Sequence, residues 1–326
     1  MSLLEIEDLT VEFDTRAGPV RALDGVSLTI EPGEILGMVG ESGAGKSLTG
    51  MAVLGLLPPN ARISGGRISL QGIRIDRQSE RLMRGIRGRK IGAVFQDPLT
   101  ALNPLMTIGD QLIETVRRHL PLGRGEAWQR SVDLLASTGI PAPDRRMRAY
   151  PSEFSGGMRQ RVVIALALAG DPSVIIADEP TTALDVSVQA QILDLLRSLC
   201  RKRGTAILLV THDMGVISET ADRVAVLYAG GVVETGPVGP ILANPRHPYT
   251  QGLMASIPEL GGPVGDLAQI QGSMPRPGNW PSGCRFAQRC AFSDSRCEAR
   301  PALVAVQPGH HVACIRTEIK QARVIR

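Results

Sequence analysis

Lysine is scarce in this sequence. Of its 36 basic residues only Lys46, Lys90, Lys202 and Lys320 are lysine, so a lysine standing inside a motif carries more weight than usual. Cysteine is rarer still over most of the chain: four of the five (Cys284, Cys290, Cys297, Cys314) fall in the last 43 residues. Long apolar runs are missing. "VVIALALAG" stops at Asp171-Pro172, about half the length that a membrane-spanning helix needs. The opening "MSLLEIEDLTVEF" has acidic residues where a secretory leader would be basic, and it has no apolar h-region. A formal net charge of +4 is too mild an excess to point to nucleic acid. These absences lead to the expectation of a soluble protein in a reducing compartment, where clustered cysteines serve as metal ligands rather than disulfides.

At 326 residues with 43% hydrophobic content, the chain can bury a large domain and carry a smaller one. "EILGMVG" (34–40), "KIGAVFQ" (90–96), "SVIIADE" (173–179) and "TAILLVTHD" (205–213) are short apolar runs that predict buried strands, with further strands over 3–13 and 20–30. Helical segments separate them, among them "SLTGMAVLGLL", closed by "PPN". The alternation predicts an α/β fold with a mainly parallel sheet. Residues 97–154 read as helical throughout and are expected to form a helical subdomain inserted in the α/β core. A Pro- and Gly-rich stretch from about residue 256 predicts a linker into a small C-terminal module.

"GESGAGKS" places Gly40, Glu41, Ser42, Gly43, Ala44, Gly45, Lys46 and Ser47 in the pattern G-x-x-x-x-G-K-[ST], after a predicted buried strand and before a helix. Glycines let successive N–H groups wrap an anion, and the helix N-terminus adds partial positive charge. Lys46 is expected to reach the β- and γ-phosphates and Ser47 to ligate Mg²⁺. "VIIADE" ends a strand with Asp178, suited to hold the Mg²⁺, and Glu179, suited to deprotonate an attacking water. "FSGGMRQR" sets Ser155, Gly156 and Gly157 before an apolar helix, a second anion-facing helix start. Because one nucleotide already has its loop, this second site implies ATP held between two copies of such a domain.

With these motifs on the page, residues 3 to about 255 resemble the nucleotide-binding subunit of an ABC transporter. The resemblance implies an ATPase with the ABC-type nucleotide-binding core, whose parts fall in order. Gln96 in "FQDP" matches the glutamine that senses Mg²⁺ and the γ-phosphate, Asp185 in "TALD" the D-loop aspartate, and His212 in "VTHD" the switch histidine. Phe13 lies where the family places an aromatic to stack on adenine. The family's usual Leu-Ser-Gly-Gly-Gln reads Phe154 to Met158 here, with its Ser-Gly-Gly core intact.

"FQDPLTALNP", "DEPTTALDVSVQAQILDLL" and "NPRHPYTQGLMASIP" are similar to the importer ATPases of the oligopeptide/dipeptide/nickel family. That family ends in an extension reading Gly-Cys-x-Phe-x-x-Arg-Cys and two more cysteines, matched here by Cys284, Cys290, Cys297 and Cys314, so that residues 256–326 are expected to be this extension. Four thiolates suit a [4Fe–4S] cluster or tetrahedral zinc, and four free thiols packed as small hydrophobes are the third reading. The resemblance puts the cluster first. It also implies two membrane permeases, a second homologous ATPase or a second copy of this chain, an external solute-binding protein, and a place on the cytoplasmic face of a bacterial inner membrane. Peptide is the expected cargo, with nickel or glutathione as alternatives; a soluble ABC ATPase acting on nucleic acid or ribosomes is the rival class.

Overall fold

The computed structural model describes residues 2–182, 184–256 and 269–316. The first part of the expected linker, 257–268, and the last residues, 317–326, lie outside that range. The chain divides into two compact units, one of residues 1–4, 30–35 and 77–210, the other of residues 5–29, 36–76 and 211–326. Among the described residues no helix is long and apolar enough to cross a membrane.

In the first unit, strand Val174–Asp178 runs parallel to Ile91–Val94 on one side and to Ala206–Thr211 on the other. Val174 to Ala177 are all buried. A strand covered on both faces is apolar without alternation, which is why "VIIA" reads as a continuous run. Residues 97–154 are helical as expected, with Pro98–Ala101, Ile108–His119, Arg124–Ser137 and Pro143–Arg146 as α-helices. Helix Ile108–His119 shows the local logic. The Thr107 hydroxyl accepts the Asp110 N–H at 3.1 Å, satisfying one of the free donors of the first turn. Ile108, Leu112 and Val116, four apart, form its buried stripe, and Arg117, Arg118 and His119 close it at the negative end of the dipole.

In the second unit, strand Ile35–Val39 is buried throughout and pairs in parallel with Arg223–Tyr228, Leu36 opposite Arg223 and Val39 opposite Val226. Gly231–Pro237 then turns back antiparallel to Arg223–Tyr228. Its other edge receives the hairpin Val304–Gln307 and His310–Val312, with Glu234 opposite Val312. A separate four-stranded sheet has the order Gly18–Ile30, Leu4–Thr15, Ala61–Leu70, Ile73–Arg74. The strands that carry the motifs are parallel, as expected. The antiparallel pairs are not legible in the same way: "ARISGGRISL" has two central glycines, and Val304–Gln307 is largely exposed, so neither shows a buried apolar pattern.

Glu234 is fully buried in this unit and is met by polar groups from two other segments. Its carboxylate accepts the N–H groups of Arg246 and His247 at 2.8 and 2.9 Å and faces His310 Nε2 at 2.8 Å. Burial alone would raise its pKa, but the hydrogen bonds from His310 and the two backbone amides outweigh it and hold the carboxyl below its ordinary value. A further bond orders the neighbouring segment: His247 Nδ1 accepts the Tyr249 N–H at 3.0 Å and so starts helix Pro248–Ala255.

Candidate functional site

Strand Ile35–Val39 runs straight into the loop Gly40–Gly45, and helix Lys46–Leu54 begins at its end. Gly45 is the N-cap, at φ 107°, a left-handed conformation costly to any residue with a Cβ; a Cβ there would also stand 2.5 Å from Leu23 Cδ2. The loop is pinned by backbone bonds, Ala44 N–H to Glu41 O at 3.1 Å and Gly230 N–H to Ala44 O at 2.9 Å. Lys46 is buried and folds back over the loop, its Nζ donating to Gly40 O at 2.8 Å and Glu41 O at 3.1 Å. A buried ammonium turned onto backbone carbonyls of the loop is matched to an anion brought into the same concavity. Ser42 and Gly43 at the tip are exposed and Ser47 is half-buried.

In the other unit, Asp178 ends strand Val174–Asp178 and Glu179 follows it. Glu179 is held at φ 45°, the left-handed region that non-glycine residues seldom occupy, and its N–H is tied to Val210 O at 2.8 Å. Strain of this kind is characteristic of functional positions. Its Oε2 accepts Gln96 Nε2 at 3.2 Å and the Thr182 hydroxyl at 2.9 Å. Gln96 and Glu179, 83 positions apart, are thereby brought together. Thr182 is a contact that the sequence reading did not assign; its place three residues after Glu179 is the signal that could have suggested it.

Ser155 is the N-cap of helix Gly156–Leu168, and its hydroxyl accepts the Met158 N–H at 3.4 Å. A Cβ on Gly157 would meet Val188 Cγ1 at 2.5 Å, so this helix approaches helix Val186–Arg203 more closely than a side chain permits. Asp185 caps that second helix by accepting the Val188 N–H at 2.9 Å, with the Ser187 hydroxyl at 2.7 Å; the backbone bond first, then the hydroxyl, hold its pKa below the ordinary value. The remaining expected residues belong to the unit of the phosphate loop. His212 is exposed just after strand Ala206–Thr211, and Phe13 is half-buried on strand Leu4–Thr15.

All four C-terminal cysteines line one small cavity together with Phe286 and Phe292. The Cys284 N–H donates to Cys297 O at 2.8 Å and the Arg316 N–H to Cys314 Sγ at 3.4 Å. Burial raises the thiols of Cys284 and Cys314, and that of Cys290 to about 11, so they stand as neutral thiols at pH 7. The donor set suits a four-thiolate site. The geometry is tighter: the space is about 10 Å³, no more than a water requires, and among the described residues no group of three or more His, Cys, Asp or Glu is arranged to hold a metal ion. Cys200 stands apart, fully buried in helix Val186–Arg203, its Sγ 3.1 Å from Gly33 O.

The family model described as ABC transporter matches residues 23–182, and that of the oligopeptide/dipeptide transporter C-terminal region matches residues 233–297. The chain is 45% identical over 315 residues to the oligopeptide transport ATP-binding protein AppD of Bacillus subtilis, covering 96% of each. It is 46% identical over 314 residues to the dipeptide transport ATP-binding protein DppD of the same organism, covering 96% of this chain and 94% of that one. Against the oligopeptide transport ATP-binding protein OppD of Mycobacterium tuberculosis identity is 48%, over 98% of this chain but 53% of the relative, so the chain spans about half that protein's length. Among solved structures, a dimeric ATP-binding cassette in a post-hydrolysis state with ADP and Pi matches with a TM-score of 0.64 at 29% identity, over 72% of this chain and 98% of that one. CbiO1 of Clostridium perfringens gives 0.64 at 30% identity, over 74% of this chain and 91% of that one. The chain therefore has the α/β fold of ATP-binding cassettes and belongs to the ABC transporter family, among the ATP-binding proteins of its oligopeptide/dipeptide branch.

Proposed function

We propose that this chain is the ATP-hydrolysing subunit of a membrane importer for peptides, working on the cytoplasmic face of the inner membrane with two permeases, a second ATPase subunit and an external binding protein. The observation that carries the reading is the phosphate loop itself, a glycine-capped helix start with a buried lysine turned onto it. The similarity to peptide transport ATP-binding proteins over nearly the whole chain supports a transport role and the cargo class.

In this reading residues 1–255 are the nucleotide-binding domain and 256–326 the extension. Residues Gly40 to Ser47 receive the phosphates, with Lys46 on the β- and γ-oxygens. Ser47, Asp178 and Gln96 would hold Mg²⁺, which would supply positive charge to the transferred phosphoryl group. Glu179 takes the proton of the attacking water, and Gln96 and Thr182 fix its carboxylate in place. His212 donates to the γ-phosphate, and Phe13 stacks on adenine. Ser155, Gly156 and Gly157, with Asp185 beside them, face the nucleotide of the second subunit, so turnover is coupled to closure of the pair. The test is reconstitution of the chain with its permeases in bilayer discs: peptide-loaded binding protein is expected to raise ATP turnover several-fold. Turnover that responds to nickel or glutathione but not to peptide would transfer the reading to another cargo, and turnover insensitive to any loaded binding protein would remove it.

For the four C-terminal thiols we propose a bound [4Fe–4S] cluster, on the family pattern Gly-Cys-x-Phe-x-x-Arg-Cys and the donor chemistry. Cys284, Cys290, Cys297 and Cys314 would hold it as thiolates. Zinc would need the same four thiolates, and the third reading leaves four free thiols. Protein purified without oxygen is expected to be brown, with a broad absorption near 400 nm that dithionite bleaches. Colourless protein with one zinc per chain, or with none, would end the cluster proposal.

A further inference from the structure

Glu41 is the second residue of the phosphate loop and the one that puts a negative charge where an anion is to bind. Its carboxylate is half-buried, and Oε1 is an occluded atom with no hydrogen-bond partner among the described residues. Oε2 is met from the far end of the chain, by Arg289 Nη1 at 3.0 Å. Arg289 stands beside Cys290 in the cysteine segment and is itself buried, its side chain 6% exposed. Its other donors are used: Nε goes to Gln271 O at 2.8 Å and Nη2 to Ile270 O at 3.2 Å, which fixes the direction in which Nη1 points.

The segment around Arg289 is anchored on the same side. Phe286, one turn earlier, packs on Tyr228 and Tyr249 with ring centroids 5.2 and 5.5 Å apart. Tyr249, fully buried, receives the Glu41 N–H on its hydroxyl at 2.8 Å. Met274 lies against Gly43 and accepts the Ala229 N–H on its sulfur at 3.3 Å. Glu41 is thus held at both its backbone and its carboxylate by residues 249 and 289, far outside the loop.

We propose that Arg289 is a positioning residue for the nucleotide: it neutralises and immobilises Glu41, so that the loop accepts phosphate without an opposing charge, and it makes the C-terminal segment part of the ATP site. Two unit charges in partly buried surroundings interact with a strength that does not vanish over several ångströms, so an unmatched carboxylate beside a polyphosphate weakens binding measurably. This rests on the assignment of residues 40–47 as the phosphate site. That assignment is tested separately by Lys46→Ala, which abolishes ATP binding if it is right and leaves binding intact if it is wrong, whatever Arg289 does.

The experiment measures ATP binding by fluorescent-nucleotide titration, and KM and kcat, in the assembled complex for Arg289→Ala, Arg289→Lys, Glu41→Gln and Arg289→Ala with Glu41→Gln. Arg289→Ala is expected to raise Kd and KM for ATP about tenfold, with kcat changed less than about twofold. Arg289→Lys, which keeps the charge, should recover most of the affinity. Removing the opposing charge should do the same, so the double variant is expected to bind ATP within about threefold of the parent. An unchanged Kd in Arg289→Ala would overturn the proposal. So would a loss that Glu41→Gln fails to restore, because a merely structural role for Arg289 predicts a defect indifferent to the charge at residue 41.

Discussion

Glu179→Gln is expected to lower ATP turnover of the assembled transporter by about 10²- to 10⁴-fold, the range typical for loss of a positioned general base, while ATP binding stays within a few-fold. The substitution replaces one oxygen by an amide of nearly the same shape. The carbonyl oxygen that remains can still accept from Gln96 Nε2 and from the Thr182 hydroxyl, which orient the carboxylate. The backbone at φ 45° and its bond to Val210 O do not involve the side chain and are retained. What disappears is the basic lone pair, because an amide does not take a proton from water at neutral pH. The phosphate contacts proposed for Lys46 and the loop do not depend on the charge of this side chain, so binding and turnover are expected to separate. Single-turnover hydrolysis together with nucleotide titration checks both halves. Unchanged turnover would show that this chain binds ATP in a regulatory manner and that its partner subunit does the hydrolysis.

The second large effect is on stability and lies in the strand Gly231–Pro237. Glu234→Ala is expected to cost about 3–5 kcal/mol at pH 7, the penalty usual for removing one member of a buried charged cluster. It leaves the Arg246 and His247 N–H groups and His310 Nε2 without the acceptor they share. Exposed pairs such as Arg84–Glu80, both side chains more than half exposed, should by contrast contribute little. The same region gives the protein an acid limit with a definite sign. His247 is buried and its Nδ1 is already an acceptor, so burial lowers its pKa to about 4 from the ordinary 6.5. The unfolded chain therefore takes up a proton that the folded chain refuses. Stability from this group is complete above pH 6.5 and is lost as pH falls towards 4, amounting to roughly 3 kcal/mol. Glu234, whose folded pKa is lowered, adds a further loss that begins below its unfolded value of 4.5. Urea midpoints measured from pH 7 to pH 4 are expected to fall throughout this window. His247→Asn supplies an N-cap acceptor that does not titrate, and it should flatten the fall between pH 6.5 and 4; an unchanged slope would place the acid sensitivity elsewhere.

How these sites came to be assembled differs from one to the next. The phosphate loop was legible because its chemistry is local: the strand, the glycines, Lys46 and Ser47 are consecutive, and Gly45 must adopt its left-handed conformation within the loop itself. The helix start at Ser155 was likewise legible, since an N-cap bonds a residue three positions on. The pairing of Gln96 with Glu179 could be expected only through the family resemblance, because 83 residues separate them. Arg289 is a harder case. Its place in Gly-Cys-x-Phe-x-x-Arg-Cys marked it as part of a pattern, but nothing in the order of residues pairs it with a glutamate 248 positions earlier.

The sequence by itself determined the α/β class, the helical character of residues 97–154, the nucleotide motifs and the family. Each of these is written in short-range periodicity or in contiguous residues, where backbone geometry and hydrogen bonding act within a few positions. Tertiary structure alone decided that the C-terminal hairpin extends the sheet at Gly231–Pro237, that Glu234 is buried with its partners, and that the cysteine segment places an arginine on the phosphate loop. Those are contacts of high sequence separation. They depend on which surfaces meet when the chain packs, and burial and charge pairing across such distances leave no periodic trace in either partner.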